Sequence, residues 1–221
     1  MVALDKRRIA ERYRPSPYHY WYSLSKLSLD PLYEDVGALL QGHSPPILDV
    51  GCGIGLMLHA LRGSGVRARY QGVDIDAAKI AIARSAVPQE DQADVHFEVR
   101  DLTHDFPAHL GSVVLLDVLQ YIEPAAQQEL ITKAARCLSP DGVLVIRGGL
   151  DDGSLRAALT RVTDRIGHAI RWMGTSFKAQ PRPAQLRSWL QQQGLQAEFR
   201  KPPASAPFNN WLIIARRARC A

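Results

Sequence analysis

The feature that most constrains the fold is an alternation of short apolar runs with amphipathic stretches, which begins at Pro46. The runs have the length of buried strands, and the stretches between them carry apolar residues at helical spacing, as in "PAAQQELITKAARCL". Strands that alternate with helices predict an α/β protein with a parallel sheet covered on both faces. The five predicted strands are Ile47–Val50, Ala68–Val73, Val95–Val99, Ser112–Leu116 and Val143–Ile146.

Both ends of the chain depart from this alternation. Residues 1–45 predict three short helices interrupted by prolines, which form an N-terminal helical cap within the same domain. After the fifth strand come two helical stretches, "SLRAALTRVTDRIGHAIRWM" and "PAQLRSWLQQQG". The closing strands, "LQAEFR" and "NNWLIIARR", suit an antiparallel hairpin at the sheet edge. Residues 46–221 are therefore predicted to form the main domain without an internal boundary.

Composition excludes several classes of protein. A chain of 221 residues with 46% hydrophobic and 22% charged residues is typical of a globular domain. Its apolar runs are shorter than the roughly 20 residues of a membrane helix, and its first residues carry charges where a secretion signal is apolar. We therefore expect a cytoplasmic protein without a membrane span. Because Cys52, Cys137 and Cys220 show no paired spacing, we expect reduced thiols and neither a disulfide nor a zinc site.

The chain is basic, with a net charge of +5 and a pI of about 9.3. This charge permits an anionic partner but does not identify one. No basic run is long or interleaved with aromatic residues in the manner of a nucleic-acid motif. A solvated basic face is the simpler interpretation, and a nucleic-acid partner is not expected.

A glycine-rich loop follows the first strand, in "ILDVGCGIGLM". Bare backbone at Gly51, Gly53 and Gly55 would let a ligand approach the start of the next helix. The spacing differs from the GxGxxG of dinucleotide sites, because position 56 is Leu. Asp49 precedes the loop, where a carboxylate would repel a pyrophosphate and attract a cationic amine. The sequence therefore predicts an adenosine-like ligand that carries a positive group.

Carboxylates also end the second and third predicted strands. Asp74 lies where an acidic side chain accepts from both ribose hydroxyls, and the alternative role of helix cap suits Asp76 better. Asp101 could accept from an exocyclic amine, while Leu102 offers backbone groups to an adenine edge. A turn role for Asp101 stays open.

These motifs together resemble the class I S-adenosylmethionine-dependent methyltransferases. The resemblance rests on "ILDVGCGIGLM", "YQGVDID", "VRDL", "GSVVLLDVLQYIEP" and "LSPDGVLVIR", in the order and spacing of that family. It implies a Rossmann-like sheet of seven strands in the order 3-2-1-4-5-7-6, with strand seven antiparallel, and S-adenosylmethionine as cofactor. The donor contacts that it implies are Asp49, Gly51, Cys52, Gly53, Gly55, Asp74, Ile75, Asp101, Leu102 and Asp117.

A narrower resemblance concerns the methyl acceptor. The combination of "YWYSLSKLSLDPLY", "GIGLM", "GSVVLLDVLQYI" and "LVIRGG…LT…IRWM" is similar to the small methyltransferases of bacterial aryl polyene and pigment biosynthetic clusters. It implies a small aromatic or acyl acceptor in secondary metabolism, either free or tethered to an acyl carrier protein. An acidic carrier would suit a basic surface.

Methyl transfer from a sulfonium needs alignment of the nucleophile, and a base only if the acceptor must lose a proton. Acceptor-facing residues are expected in the cap and after the fourth and fifth strands. These candidates also have structural alternatives. The aromatic cluster "YHYWY" could be helix packing, and Arg147 could form an ion pair. No metal is expected, because the carboxylates already have donor contacts assigned. The candidate bases are His19 and Tyr121, and the candidate substrate contacts are Tyr18, Tyr22, Lys26, Arg147 and Trp172.

Two other functions stay open. The first is a methyltransferase that acts on RNA or DNA, which the basic charge suggests but for which no Asn-Pro-Pro-Tyr motif follows the fourth strand. The second is a non-catalytic partner protein that keeps the fold. Gln120 suggests this second alternative. Many members of the family have histidine at that position, so a possible base is missing here.

Overall fold

The computed structural model describes residues 4–42, 44–102, 104–153, 177–202 and 209–218. Seven strands form one sheet in the order β3-β2-β1-β4-β5-β7-β6, which confirms the predicted order. Strand β7 runs antiparallel to both of its neighbours, as expected. The strands are β1 Ile47–Val50, β2 Tyr70–Asp74, β3 Val95–Val99, β4 Ser112–Leu116, β5 Val143–Gly149, β6 Leu195–Arg200 and β7 Asn210–Arg217. The predicted bounds of the second strand were wrong, because it starts two residues after Ala68 and ends one residue after Val73.

Helices connect the strands where the apolar periodicity predicts them. Ser16 caps α2 and Asp76 caps α5, since each side chain accepts from backbone N–H groups of the first turn. Proline occupies the first turn of α2, α6 and α7, where its missing N–H costs no hydrogen bond. The helices are α1 Lys6–Glu11, α2 Pro17–Leu29, α3 Leu32–Leu39, α4 Leu56–Gly63, α5 Ala77–Ala86, α6 Pro124–Arg136 and α7 Pro183–Gln192.

The first compact unit of the chain, Met1–Arg100, contains the cap helices and strands β1 to β3. Helices α1 and α3 pack against α4, so the predicted cap is joined to the element that follows the glycine loop. Tyr13, just after α1, donates its hydroxyl hydrogen to the carbonyl of Ile54 at 3.0 Å. All four residues of β1 are buried, as expected for a strand with both faces covered.

The second compact unit, Asp101–Ala221, contains strands β4 to β7 with helices α6 and α7. Strand β5 is buried at all seven positions, and it pairs with β4 in parallel and with β7 antiparallel. It continues three residues beyond the predicted Ile146, because Gly148 and Gly149 pair with Trp211 and Asn210. The helices of this unit cover the sheet, since α7 packs against β6 and α6 packs against α7.

Some predictions concern residues outside the described ranges. The helical stretch "SLRAALTRVTDRIGHAIRWM", which contains Trp172, lies within residues 154–176, and Cys220 lies in residues 219–221. The prediction of an undivided domain after Pro46 stays a prediction. Within the described ranges, no helix is both long and apolar enough to cross a membrane.

The turn before β5 depends on glycine at position 142. A Cβ atom there would lie 2.1 Å from the carbonyl oxygen of Gly111, which is fixed backbone. We expect Gly142→Ala to lower the free energy of unfolding by about 3 kcal/mol, at the upper end of overpacking costs. Gly194→Ala is the matched control, because its Cβ would meet open space and only its left-handed φ of 71° is unfavourable. That control should lose about 1 kcal/mol in urea unfolding, and equal losses would contradict the steric argument.

Candidate functional site

The glycine loop between β1 and α4 needs glycine at all three of its positions. Gly51, Gly53 and Gly55 have φ values of 74°, 56° and 78°, a region that side-chain-bearing residues rarely occupy. A Cβ at Gly55 would also lie 2.8 Å from the ring of Phe97. The GxGxG spacing therefore places left-handed residues at alternate positions, and the loop presents bare backbone to a ligand.

Asp74 holds this loop in place. One of its carboxylate oxygens accepts from the N–H of Gly53 at 2.9 Å, and the other accepts from the N–H of Asp76 at 2.9 Å. Each oxygen keeps a further lone pair, so the carboxylate can still accept from ribose hydroxyls. The alternative role of helix cap belongs to Asp76, which accepts from Ala78 and Lys79. The bond to Gly53 was not anticipated from the sequence.

Asp49 lies in β1, two residues before Gly51, and its carboxyl group is buried, with 2% of the residue's surface exposed. Burial raises its pKa from 3.8 to about 7; a hydrogen bond from the Tyr70 hydroxyl opposes this rise, and the charge of Asp74 adds to it. Burial also raises the pKa of Tyr70 well above its usual value, so that the phenol stays a donor. Tyr70 was not predicted from the sequence. It lies two residues before Gly72, the β2 residue that pairs with Asp49, and this spacing was a usable signal.

Cys52 lies between two of the glycines, and its Sγ is 3.8 Å from the carbonyl oxygen of Gly53. Burial, with the nearby carboxylates of Asp49 and Asp74, raises the pKa of this thiol well above its usual value. A thiol that stays protonated is a poor nucleophile. The protonated thiol of Cys52 is therefore a weak nucleophile.

In the second unit, Asp117 and Arg147 form an ion pair at the ends of β4 and β5. Asp117 has a φ of 58°, which is unusual for a residue with a side chain, and its N–H donates to the carbonyl of Arg147 at 2.8 Å. Of the two roles considered for Arg147, the structural ion pair is the one that it makes here. Its contact with substrate stays a prediction, as does the contact of Asp117 with the donor.

Asp101 and Leu102 follow β3 at the start of the second unit. The carbonyl of Asp101 accepts from the N–H groups of His104 and Asp105 at 3.1 and 2.8 Å. The turn role that was left open for Asp101 is thus present in its backbone. The side chain of Leu102 is buried, at 9% exposure, and an adenine contact for either residue stays a prediction.

The cap places its acceptor candidates along α2. Tyr18 is 53% exposed, and its ring meets that of His19 edge-on at 5.3 Å. Tyr22 is half-buried, and the ammonium group of Lys26 pairs with Asp30 of the same segment at 3.3 Å. The structure thus brings Tyr18 and His19 together.

The remaining acceptor candidates belong to the second unit or to residues outside the description. Tyr121 ends a short 3-10 turn, Leu119–Tyr121, that follows β4. Trp172 lies outside the described residues. In the part of the chain that the structure describes, no three His, Cys, Asp or Glu side chains gather where a metal ion could bind.

Sequence comparisons identify relatives of this chain. A sequence profile for a methyltransferase domain matches residues 47–142. A ubiquinone biosynthesis O-methyltransferase of Xylella fastidiosa (strain M23) is 30% identical over 177 residues, which cover 77% of this chain and 69% of that protein. The protein of the same name from Xanthomonas euvesicatoria pv. vesicatoria is 28% identical over 195 residues, which cover 86% of this chain and 79% of that protein.

Solved structures show the same fold. An O-methyltransferase family protein from Burkholderia thailandensis matches with a TM-score of 0.71 and 19% identity, covering 100% of this chain and 65% of that chain. This chain therefore spans about two thirds of that larger protein. Magnesium protoporphyrin IX methyltransferase from Synechocystis PCC 6803, with bound SAH, matches with a TM-score of 0.63 and 19% identity, covering 96% of both chains.

Removal of the Asp74 carboxylate should weaken donor binding. Asp74→Ala deletes the acceptor for Gly53 and the expected acceptor for ribose, and hydrogen bonds to charged groups contribute about 1.5–3 kcal/mol each. We expect the affinity for S-adenosylhomocysteine to fall at least tenfold in isothermal titration. Asp76→Ala is the matched control, since it removes the cap of α5 and leaves the loop contact of the Asp74 side chain with Gly53. Unchanged affinity in Asp74→Ala would refute this role.

The raised pKa of Asp49 should make donor binding depend on pH. The folded protein favours the protonated carboxyl, so its contribution to stability is complete below pH 3.8 and is lost as the pH rises through about 7. A cationic donor favours the ionised form instead. The ionised fraction rises about tenfold between pH 6 and pH 8, and we expect the affinity for S-adenosylmethionine to rise similarly in isothermal titration. Asp49→Asn should flatten this profile, and an unchanged slope would assign the titration to another group.

Proposed function

The chain belongs to the class I S-adenosylmethionine-dependent methyltransferases, with S-adenosylmethionine as its cofactor, and we propose that it methylates an oxygen atom of a small aromatic acceptor. The observation that carries this proposal is the donor loop, in which three left-handed glycines lie beside Asp49 and the Asp74 carboxylate. The choice of an oxygen atom is supported by the relatives at 28–30% identity, whose names are those of O-methyltransferases.

We assign the donor contacts as follows. The ionised Asp49 would attract the ammonium group of the methionine portion, which would lie against the bare backbone of the glycine loop. Asp74 would accept from the ribose hydroxyls. Ile75, which is 53% exposed next to it, would offer an apolar contact to the adenine ring. We extend the assignment to Asp101 and Leu102 at the adenine edge and to Asp117 near the sulfonium.

The reaction asks little covalent chemistry of the protein. When bound, the sulfonium donor supplies an activated methyl group. The acceptor oxygen forms a bond to the methyl carbon as the carbon–sulfur bond breaks, and the hydroxyl proton leaves to a base or to water. His19 and Tyr121 are the proposed bases, and Tyr18, Tyr22, Lys26, Arg147 and Trp172 are the proposed acceptor contacts.

A carrier-bound acyl or aryl acceptor, as in secondary metabolism, is the second candidate. The observation that favours it is the basic surface of the cap, where Arg7, Arg8 and Arg14 are exposed. An acidic carrier protein would meet complementary charge there. Free phenols remain the first choice, because the curated relatives are O-methyltransferases of ubiquinone biosynthesis.

Turnover with a set of acceptors tests this function. We expect the full chain to convert S-adenosylmethionine to S-adenosylhomocysteine with catechols and other phenols, and mass spectrometry should show the methyl ether. One further arm of the assay uses an acyl group bound to a carrier protein as acceptor, and another uses a transfer RNA. Asp74→Ala and a reaction without acceptor are the controls.

Each outcome of the assay has a distinct meaning. Methyl transfer only to the carrier-bound acyl group would replace the phenol by the second candidate. Transfer to RNA, with salt-sensitive binding in gel shifts, would establish the nucleic-acid alternative. Donor binding without turnover in every arm would establish a non-catalytic partner protein.

A further inference from the structure

Three buried glutamines of the second unit differ in their hydrogen bonding. The Nε2 atom of Gln127 donates to the carbonyls of Leu119, Ile122 and Ala179 at 3.0, 3.2 and 3.0 Å. Gln120 and Gln180 are 5% and 8% exposed. Among the described residues, the Oε1 atom of Gln120 and both amide atoms of Gln180 are buried without any hydrogen-bond partner. One glutamine is thus structural, and the other two have unused polar groups.

The unpaired oxygen of Gln120 and the unpaired amide of Gln180 lie beside the last two residues of β5. A Cβ at Gly148 would be 3.2 Å from the Oε1 atom of Gln120, and a Cβ at Gly149 would be 2.1 Å from the Nε2 atom of Gln180. Because successive residues of a strand point to opposite faces, the two amides flank the end of β5 from its two sides. Because Gly148 and Gly149 have no side chains, the unpaired polar atoms of Gln120 and Gln180 occupy the space beside them.

The backbone around the two amides is held firmly. The N–H of Lys178 donates to the carbonyl of Gln120 at 2.8 Å, and Gln127 binds the carbonyl of Ala179. On the other side of Gln180, the N–H of Asp151 donates to the carbonyl of Pro181 at 3.0 Å. The segment that carries Gln180 is thus fixed to the turn after β4 and to the chain after β5. These hydrogen bonds fix the backbone that carries the two amides.

An unpaired buried amide lowers the stability of a fold, and native proteins contain few of them. A methionine of similar size would fill the same space without that penalty. The two amides also lie at the carboxyl end of a parallel strand, the edge at which α/β sheets bind their ligands. A ligand that forms hydrogen bonds with them would account for both observations.

We propose that Gln120 and Gln180 are specificity-determining residues that bind the methyl acceptor, and this inference rests on the proposed function. The ligand class is an aromatic ring with hydrogen-bonding oxygens at separate positions, such as two hydroxyl groups or a hydroxyl and a keto group across the ring, because the two amides lie on opposite sides of the end of β5. The Oε1 atom of Gln120 accepts from a hydroxyl, and the amide of Gln180 both accepts and donates. A neutral amide takes no proton, so these residues orient the acceptor and do not act as bases.

Glutamine-to-methionine variants at the three positions, made in the full chain, separate a ligand contact from a structural role. Gln127→Met should lower the Tm by about 3 °C or more, because three carbonyls lose their donor. Gln120→Met and Gln180→Met should leave the Tm of the ligand-free protein unchanged or raise it. A fall in Tm as large as that of Gln127→Met would show that these amides are structural, and would overturn the inference.

Acceptor kinetics give the second measurement, with a hydroquinone and the matching monophenol as probes. We expect the wild-type protein to prefer the hydroquinone about tenfold or more in kcat/KM, and each variant to lose most of that preference through a higher KM. The affinity for S-adenosylhomocysteine should stay within twofold of the wild-type value. Gln192→Met, at an exposed glutamine of α7, is the control that should keep the wild-type preference.

Failure of the inference is distinguishable from failure of the proposed function. A wild-type protein that methylates no phenol contradicts the proposed function, and the inference falls with it. An active wild-type protein whose variants keep the full preference contradicts the inference alone, because the amides then bind only water.

Discussion

The glycine loop between β1 and α4 depends on one carboxylate. Asp74 accepts from Gly53 on one side and from Asp76 on the other, so the side chain at the end of β2 fixes the turn that leaves β1 and the turn that begins α5. The carbonyl of Val73 accepts from Gly51 and Cys52 in the same region. Three successive N–H groups of the loop therefore receive partners from the neighbouring strand, and the loop needs no side chains of its own. This arrangement leaves the backbone accessible to a ligand.

The fold could be predicted from the sequence because its signals are local and repeated. The bounds of β1, β3 and β4 match their predictions, and glycine or proline flanks two of these strands, with Pro46 and Gly51 around β1 and Gly111 before β4. Strand β5 is the informative exception. Its last residues are glycines, which by composition indicate a loop, but pairing with Trp211 and Asn210 keeps them in the sheet. A strand end that depends on a partner more than sixty residues away has no local signal.

The candidate site also has features that the sequence predicts and features that it does not. Glycine spacing and the strand-ending carboxylates predicted where the glycine loop lies and that its backbone is bare, because both follow from backbone geometry. The hydroxyl of Tyr70 on Asp49 and the ion pair of Asp117 with Arg147 depend on which side chains meet across strands. The unpaired amide of Gln180 depends on a connection between distant elements. Such contacts require the register of the sheet, and a single sequence does not supply it.

The hydrogen bond from Tyr13 to the carbonyl of Ile54 joins the cap to the glycine loop. A displacement of the chain after α1 must either break this buried bond or distort the loop. Ordering is reciprocal between coupled sites, so a ligand that rigidifies the loop would also rigidify the cap, and a molecule that orders the cap would order the loop. With the donor bound at the loop as proposed, the N-terminal helices would take part in the thermodynamics of donor binding, whether or not any of their side chains contacts the donor.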